Sequence, residues 1–207
     1  MDLKQWCVLF VLACTLSGPG IASAADLSVS GRIQPGACSL TLGNGGTVDM
    51  GTISRKGLKG AEATVFNQHA ISLAIQCQTP TKVAFRALDN RPGTSFQGAG
   101  FGLGASGGKS VGHYYLMPLN RIGDGVKLVQ LVDRGLGWEV TGGTTSTGGI
   151  APSWLSSWAE LGHTLPRAFQ SISSTLGVSI RIAPTEDLDL SQEIAIDGSA
   201  TMELVYL

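Results

Sequence analysis

The chain has 207 residues, 14% of them charged, and a formal net charge of −1. A balance so close to zero argues against nucleic acid or an acidic membrane surface as a partner. Few charged residues together with 29 glycines favour an exported, turn-rich β protein over a helical one.

Residues 1–24 have the pattern of a secretory signal peptide. Lys4 precedes a short apolar run, and Ala22-Ser23-Ala24 supplies a small-x-small cleavage site. The run is too short to cross a bilayer as a helix. Processing as a lipoprotein at Cys14 is the weaker alternative, because Leu12 beside Ala13 fits a lipoprotein signal poorly and the apolar run before Cys14 is short. If residues 1–24 are removed as a signal peptide, the mature chain begins at Ala25, and the length that remains suits one domain.

Signal removal leaves two of the four cysteines, Cys38 and Cys77. In an oxidising compartment two thiols most simply pair, and closing this loop stabilises a fold by roughly 4 kcal/mol. A zinc site would need more ligands, and none of the histidines has metal-ligand spacing. We therefore predict no metal, and we expect His69, His113 and His163 to lie on the surface or in loops.

Alternation of apolar and polar residues, with a period of two, predicts β-strands along the mature chain. In chain order these strands cover residues 27–33, 71–77, 83–85, 114–117, 126–132, 178–182 and 200–206. Turn-forming residues separate them, among them Gly-Asn-Gly-Gly at 43–46 and Thr-Pro-Thr at 79–81. The pattern indicates an all-β fold with sandwich corners.

The segment at 152–162 differs from the rest. Trp154, Trp158 and Leu161 follow a Pro-Ser pair at helical spacing and predict a short helix that ends near Gly162. Such a helix would cap one end of a sandwich, or its tryptophans would form an aromatic ligand site.

Residues 102–110, GLGASGGKS, resemble two catalytic motifs. A phosphate-binding loop requires glycine where Leu103 stands, and it requires a buried strand before it and a helix after it. The Gly-x-Ser-x-Gly elbow of a serine hydrolase requires the same context around Ser106. The stretch from 98 to 104 is too rich in glycine for a buried strand, and the residues after 112 predict β structure. We expect no enzyme here, with an exported hydrolase as the alternative that an ester-substrate assay would reveal.

The two ends of the mature chain carry a complementary pattern. At the C-terminus Ala200, Met202, Leu204 and Tyr206 present one apolar face up to the penultimate residue. Just after the predicted cleavage site Leu27, Val29, Gly31 and Ile33 form another alternating face. Together the two patterns indicate a sheet with an open edge, and a strand able to fill the edge of another molecule.

In these features the sequence resembles the pilins of the chaperone–usher pathway. The matching stretches are DLSVSGRI at 26–33, CSLTL at 38–42, VDMGTI at 48–53, ISLAIQC at 71–77 and GSATMELVY at 198–206. One position departs from the family. Ile194 stands fourteenth from the end, where the family usually has glycine, and the nearest glycine is Gly198.

The resemblance implies a signal peptide at 1–24, a donor-strand extension at 25–37 and a pilin domain at 38–207. That domain would be an incomplete immunoglobulin-like β-sandwich that is completed by donor-strand exchange. The groove edge would be Ala200, Met202, Leu204 and Tyr206, and the donor residues Leu27, Val29, Gly31 and Ile33.

The implied function is that of a structural fimbrial subunit supporting cell adhesion, without cofactor. Its partners would be a periplasmic chaperone, an outer-membrane usher and neighbouring subunits, on a route through the periplasm to the cell surface. The alternative is a self-contained secreted β-sandwich that binds a surface ligand.

Overall fold

A computed structural model describes residues 37–145 and 148–207. The predicted signal peptide, its cleavage site and the donor residues Leu27, Val29, Gly31 and Ile33 lie outside the described residues. Within them the regular structure is almost entirely β, which confirms the all-β expectation. The helices described are three short 3-10 turns, at Gly43–Gly46, Arg55–Gly57 and Thr185–Asp187. None of these turns has the length or hydropathy of a membrane-spanning helix.

Eleven strands are described. They are β1 Cys38–Leu42, β2 Thr64–Asp89, β3 Phe101–Gly102, β4 Ala105–Ser106, β5 Lys109–Ser110, β6 Gly112–Gly123, β7 Val126–Asp133, β8 Trp138–Gly142, β9 Leu155–Glu160, β10 Ala168–Ile182 and β11 Ala200–Tyr206. The predicted strands at 71–77, 83–85, 114–117, 126–132, 178–182 and 200–206 all fall within them.

The strands form a sandwich-like arrangement of two antiparallel layers. One layer has the order β3-β6-β10-β2-β1, and the other has the order β11-β2-β9-β7-β8. The long strand β2 belongs to both layers, its first half to one and its second half to the other. Strands β4 and β5 form a separate small hairpin.

Strand β2 turns back between its two halves. Thr64, at its start, aligns through β10 with Gly112 at the start of β6. At the other end of β2, Asp89 Oδ2 accepts a hydrogen bond of 3.0 Å from the N–H of Gly102 in β3. Strand β3 pairs with that same end of β6, so both ends of β2 lie at one end of the sandwich. The sequence predicts a turn at 79–81, but these residues are part of the continuous strand β2.

The core lies between the two layers. The rings of Phe85 and Trp158 meet at its centre, with centroids 5.4 Å apart, and both side chains are fully buried. Burying a large apolar side chain contributes about 1.5–3 kcal/mol, so this alternating apolar set holds the layers together. Other core residues are Leu73, Ile75, Val83, Leu116, Leu128, Ile172, Leu176, Val178, Ile180 and Ile182.

A disulfide joins Cys38 to Cys77, as the sequence predicts. The two residues stand directly opposite each other in the pairing of β1 with β2. The bond therefore fixes β1 at the end of the sandwich where the predicted extension, residues 25–37, joins the domain.

The helix predicted around Trp158 is wrong, because residues 155–160 form strand β9. Two residues four apart share a face in a strand as well as in a helix, so the spacing of Trp154 and Trp158 fits both. Packing decides between them, since Trp158 is 1% exposed in the core whereas Leu161 is 72% exposed. The turn of the chain at Gly162, with φ of 89°, agrees with the predicted end of the element.

The expectation that 98–104 holds no buried strand is also wrong. Phe101–Gly102 is a short strand, and both of its residues are buried against β6. Glycine is needed here because a Cβ at position 102 would lie 2.5 Å from the carbonyl oxygen of Arg91. The glycine that weakens the sequence signal thus permits the close packing.

Candidate functional site

An apolar groove of about 820 Å³ opens along one side of the sandwich. Residues 47–53 form one wall and residues 188–199 the other, and neither segment belongs to a strand. The floor is made of core side chains from β6 and β10, namely Leu116, Leu176, Val178, Ile180 and Ile182. The groove therefore reaches into the hydrophobic core itself.

Both walls present apolar side chains toward the core. Val48 and Met50 on one side, and Leu188 and Ile196 on the other, are partly buried and pack against the core residues. Charged side chains, Asp49, Arg55 and Glu193, also line the groove.

Strand β11 forms the continuation of one wall. It pairs with β2 along one edge, and no strand is described along its other edge. Of the four predicted edge residues, Ala200 and Met202 line the groove. Leu204 and Tyr206 also pack against the core, but they lie beyond the groove, near β1. The structure thus places all four on one face, with two of them at the groove.

Tyr206 ties β11 to β1 at the disulfide end. Its hydroxyl accepts a hydrogen bond of 2.8 Å from the backbone N–H of Cys38. This bond links β11 to β1 at the disulfide end, opposite the end where Ala200 begins β11.

The start of β11 is held in place by close packing at Gly198. A Cβ at this position would lie 2.7 Å from a methyl carbon of Leu103 and 3.0 Å from the ring of Tyr114. Asp197 forms a bidentate pair with Arg91, with N–O hydrogen bonds of 2.9 Å, and its N–H donates to the Leu103 carbonyl at 3.0 Å. Gly198, and not position 194, thus makes the close backbone approach at this end of the groove.

Tyr114 lies at the same end and stays a neutral phenol. Burial, followed by the charge of Asp89, raises its pKa well above the ordinary tyrosine value. Its ring stacks on Phe101, with centroids 5.2 Å apart. The floor here is therefore uncharged and aromatic.

The loop at 102–110 is a β-hairpin. Ala105–Ser106 pairs with Lys109–Ser110, and Gly107 and Gly108 turn the chain with φ of 58° and 78°. Paired positive φ values are those of a type I′ turn, which needs glycine. Strand β6 follows, so Ser106 and Lys109 lack the strand-turn-helix setting that either catalytic motif requires.

His113 is buried, which corrects the expectation that it lies on the surface or in a loop. It sits in β6 between the rings of Phe96 and Tyr115, with centroid distances of 4.3 and 4.9 Å. Burial, together with the nearby Arg181 guanidinium, lowers its pKa to about 4. Of the other two, His69 is partly buried in β2 and His163 is exposed. No group of three or more potential metal ligands occurs in the described parts of the chain.

Most of the wall at 188–199 is not among the site residues predicted from the sequence. Its signal is present, since Leu188, Leu190, Ile194 and Ile196 stand at even positions with polar residues between most of them. Alternation of this kind is the mark of one apolar face of an extended segment. It passes unnoticed because Gln192 interrupts it.

Two comparisons with known proteins find similarity. A family described as "Protein of unknown function (DUF1120)" matches residues 27–113. The match spans the predicted donor residues, β1, one groove wall and β2, and it stops before β11. The chain is also 27% identical over 223 residues to "Uncharacterized protein YhcF" of Escherichia coli (strain K12), with 90% of this chain and 93% of that protein aligned. This second likeness extends over nearly the whole chain.

Proposed function

We propose that the chain is a structural subunit of a chaperone–usher fimbria. In this proposal the groove is the place of a missing strand, and residues 27–33 of a neighbouring subunit fill it. The observation that supports it most is the combination of an apolar floor with two bordering segments that belong to no sheet. An immunoglobulin-like sandwich without its last strand would have this form.

The dimensions suit a single strand. Strand β11 has seven residues, as many as the predicted donor segment 27–33, or about 20 Å of extended chain. A donor strand beside β11 would give its open edge hydrogen-bond partners. Leu27, Val29 and Ile33 would place apolar side chains over the floor, each contributing about 1.5–3 kcal/mol by burial.

The same features explain the need for a chaperone. An unfilled groove exposes core side chains and an unpaired strand edge, and such surfaces aggregate. A periplasmic chaperone would occupy the groove by strand addition until an outer-membrane usher replaces it with the next subunit. This route ends in a fimbria on the cell surface, where the subunit supports adhesion. No catalytic step or cofactor is part of the proposal.

Expression in the periplasm with and without the cognate chaperone tests this function. With the chaperone we expect a soluble one-to-one complex, and without it degradation or aggregation. A matched variant lacking residues 25–36 should still form the complex, because its own extension is not part of its own core, but it should yield no multimers in which it donates. Equal recovery of soluble monomer without any chaperone would contradict the proposal and favour a self-contained sandwich.

A further inference from the structure

A single leucine protrudes from the hairpin between β7 and β8. Leu136 is 97% exposed and is flanked by Gly135 and Gly137, with φ of 95° and 104°. The carboxylate of Asp133 holds this tip by accepting hydrogen bonds from both glycine N–H groups, at 2.7 and 3.0 Å. Leu136 is thus a fixed apolar projection and not part of a loose loop.

Two more leucines are exposed in the segment that follows β9. Leu161 and Leu165 are 72% and 64% exposed, and the N–H of Arg167 anchors their loop to the Trp158 carbonyl at 3.1 Å. Val126, at the start of β7, is 44% exposed at the same end. Together Val126, Leu161 and Leu165 form what we call the lower patch.

The projection and the lower patch lie at opposite ends of the same pair of strands. Strands β7 and β9 are antiparallel, with Leu128 opposite Glu160 and Asp133 opposite Leu155. Eight residues of β7 separate the two ends, a distance of about 24 Å. The three most exposed large apolar side chains of the described residues are thus divided between two poles of the sandwich. We call the end that carries Leu136 the upper pole and the end that carries the lower patch the lower pole.

We propose that these poles form a head-to-tail contact between copies of this chain, in which Leu136 of one copy packs against the lower patch of the next. The proposal rests on the proposed function, because it places the contact beside the donated strand. A contact between two different surfaces is heterologous, and repeated without closure it builds a filament. Two upper poles facing each other would oppose two projections and leave the lower patches of both copies uncovered.

The direction of strand donation leads to the same arrangement. Strand β11 runs from Ala200 at the upper pole to Tyr206, which contacts Cys38 at the disulfide end, and Cys38 directly follows the predicted extension. A donor strand antiparallel to β11 would leave the groove at the upper pole of the acceptor. Only residues 34–37 then remain before Cys38, about 13 Å of chain. The lower pole of the donor must therefore lie close to the upper pole of the acceptor.

The charges at the two poles are compatible with this contact. Beside the projection, Arg134 pairs with Glu139 at 2.9 Å and lies over the ring of Trp154, 4.4 Å from its centroid. Beside the lower patch stand Glu160 and Arg167. Both poles thus carry charges of both signs, so the contact does not bring together two surfaces of the same charge.

So small a contact binds weakly by itself. It is well below the size of interfaces that are stable alone. The donated strand changes this, because a short tether gives its attached surfaces an effective concentration in the millimolar range. We therefore expect the contact to set the spacing and stiffness of the fibre, while the strand supplies the affinity.

A cross-linking experiment on assembled fibres tests the contact. The double variant Leu136→Cys, Leu161→Cys is assembled and treated with a short bismaleimide, and the products are boiled in detergent. The control is Leu136→Cys, Val65→Cys, since Val65 is also exposed, at 43%, but lies at the same pole as Leu136 in the other layer. We expect a ladder of covalent multimers, about tenfold more abundant than in the control, because the tether brings opposite poles of neighbouring copies together and keeps like poles apart.

Each outcome decides between the two proposals. Detergent-resistant multimers without cross-links above the control would overturn the pole contact and leave strand donation standing. If no such multimers form, strand donation is contradicted, and the reagent is applied to the concentrated free subunit. Cross-links specific to the Leu136–Leu161 pair would then still support the contact, and their absence would overturn it.

Discussion

At the scale of single residues, His113 has the most unusual environment. Its imidazole is fully buried between two aromatic rings, and neither ring nitrogen has a hydrogen-bond partner among the described residues. Arg181 and Tyr115 are the neighbouring titratable groups, and Arg181 lies over the Tyr115 ring. A second charge beside Arg181 without a carboxylate partner would be costly, so the folded state favours the neutral imidazole.

This predicts a loss of stability in acid. Because the pKa of His113 is about 4 when folded and 6.5 in the unfolded chain, the unfolded state binds more protons between these values. The free energy of unfolding should therefore fall as the pH drops from 6.5 to 4, by about 3 kcal/mol in total from this group. Urea unfolding at pH 7 and at pH 4, with the groove filled by a synthetic peptide of residues 25–37, measures this fall. The variant His113→Leu should lose this part of the dependence, with His163→Leu, an exposed histidine, as control. Parallel curves for wild type and His113→Leu would contradict the assignment.

Tyr206 contributes to the stability of the subunit in two separable ways. Its ring packs against the core, and its hydroxyl accepts the hydrogen bond from Cys38. Tyr206→Phe should remove only the hydrogen bond, at about 1 kcal/mol, whereas Tyr206→Ala should cost about 3 kcal/mol if the ring is buried in the complex. Recovery of the chaperone complex from the periplasm distinguishes the two, with a strong loss expected for alanine alone. Normal recovery of the alanine variant would mean that β11 is not the strand to which the chaperone binds.

At the scale of elements, the hairpin β4–β5 is the clearest case of a motif without its context. Its glycines serve the turn, and Ser106 and Lys109 project from short exposed strands. The double variant Ser106→Ala, Lys109→Ala should change the free energy of unfolding by no more than about 0.5 kcal/mol and leave fibre yield unchanged. Loss of fibres from a normally folded variant would reveal a role for this loop that the hairpin geometry does not explain.

The sequence predicts an element well when the pattern of its own residues determines its structure, and poorly when contacts with distant residues determine it. Strands such as β7 and β11 carry an apolar alternation of their own, and the pairing of Cys38 with Cys77 follows from their number. Strand β9 does not, because a spacing of four fits helix and strand alike, and only contact with Phe85 decides. The burial of His113 likewise depends on Phe96, from a loop whose path the local pattern does not contain.

At the scale of the whole molecule, the main feature of the sandwich is its groove and the segments that border it. The floor is core, the walls at 47–53 and 188–199 belong to no sheet, and β11 has one paired edge. The central claim is that residues 27–33 of another copy complete this sandwich. Gly31 would then face the floor, and a leucine in its place should be too large for the groove closing over it.

Methionine methyl groups give a direct test of this claim. Met50 and Met202 line the groove, whereas Met117 in β6 is not among its lining residues. A synthetic peptide of residues 25–37 is added to the chaperone complex of a subunit that lacks its own extension and carries labelled methionine methyls. If the peptide fills the groove, the Met50 and Met202 signals should shift as the chaperone is released, and the Met117 signal should stay in place. A Gly31→Leu peptide should have no effect. Unchanged Met50 and Met202 signals at saturating wild-type peptide would contradict the claim.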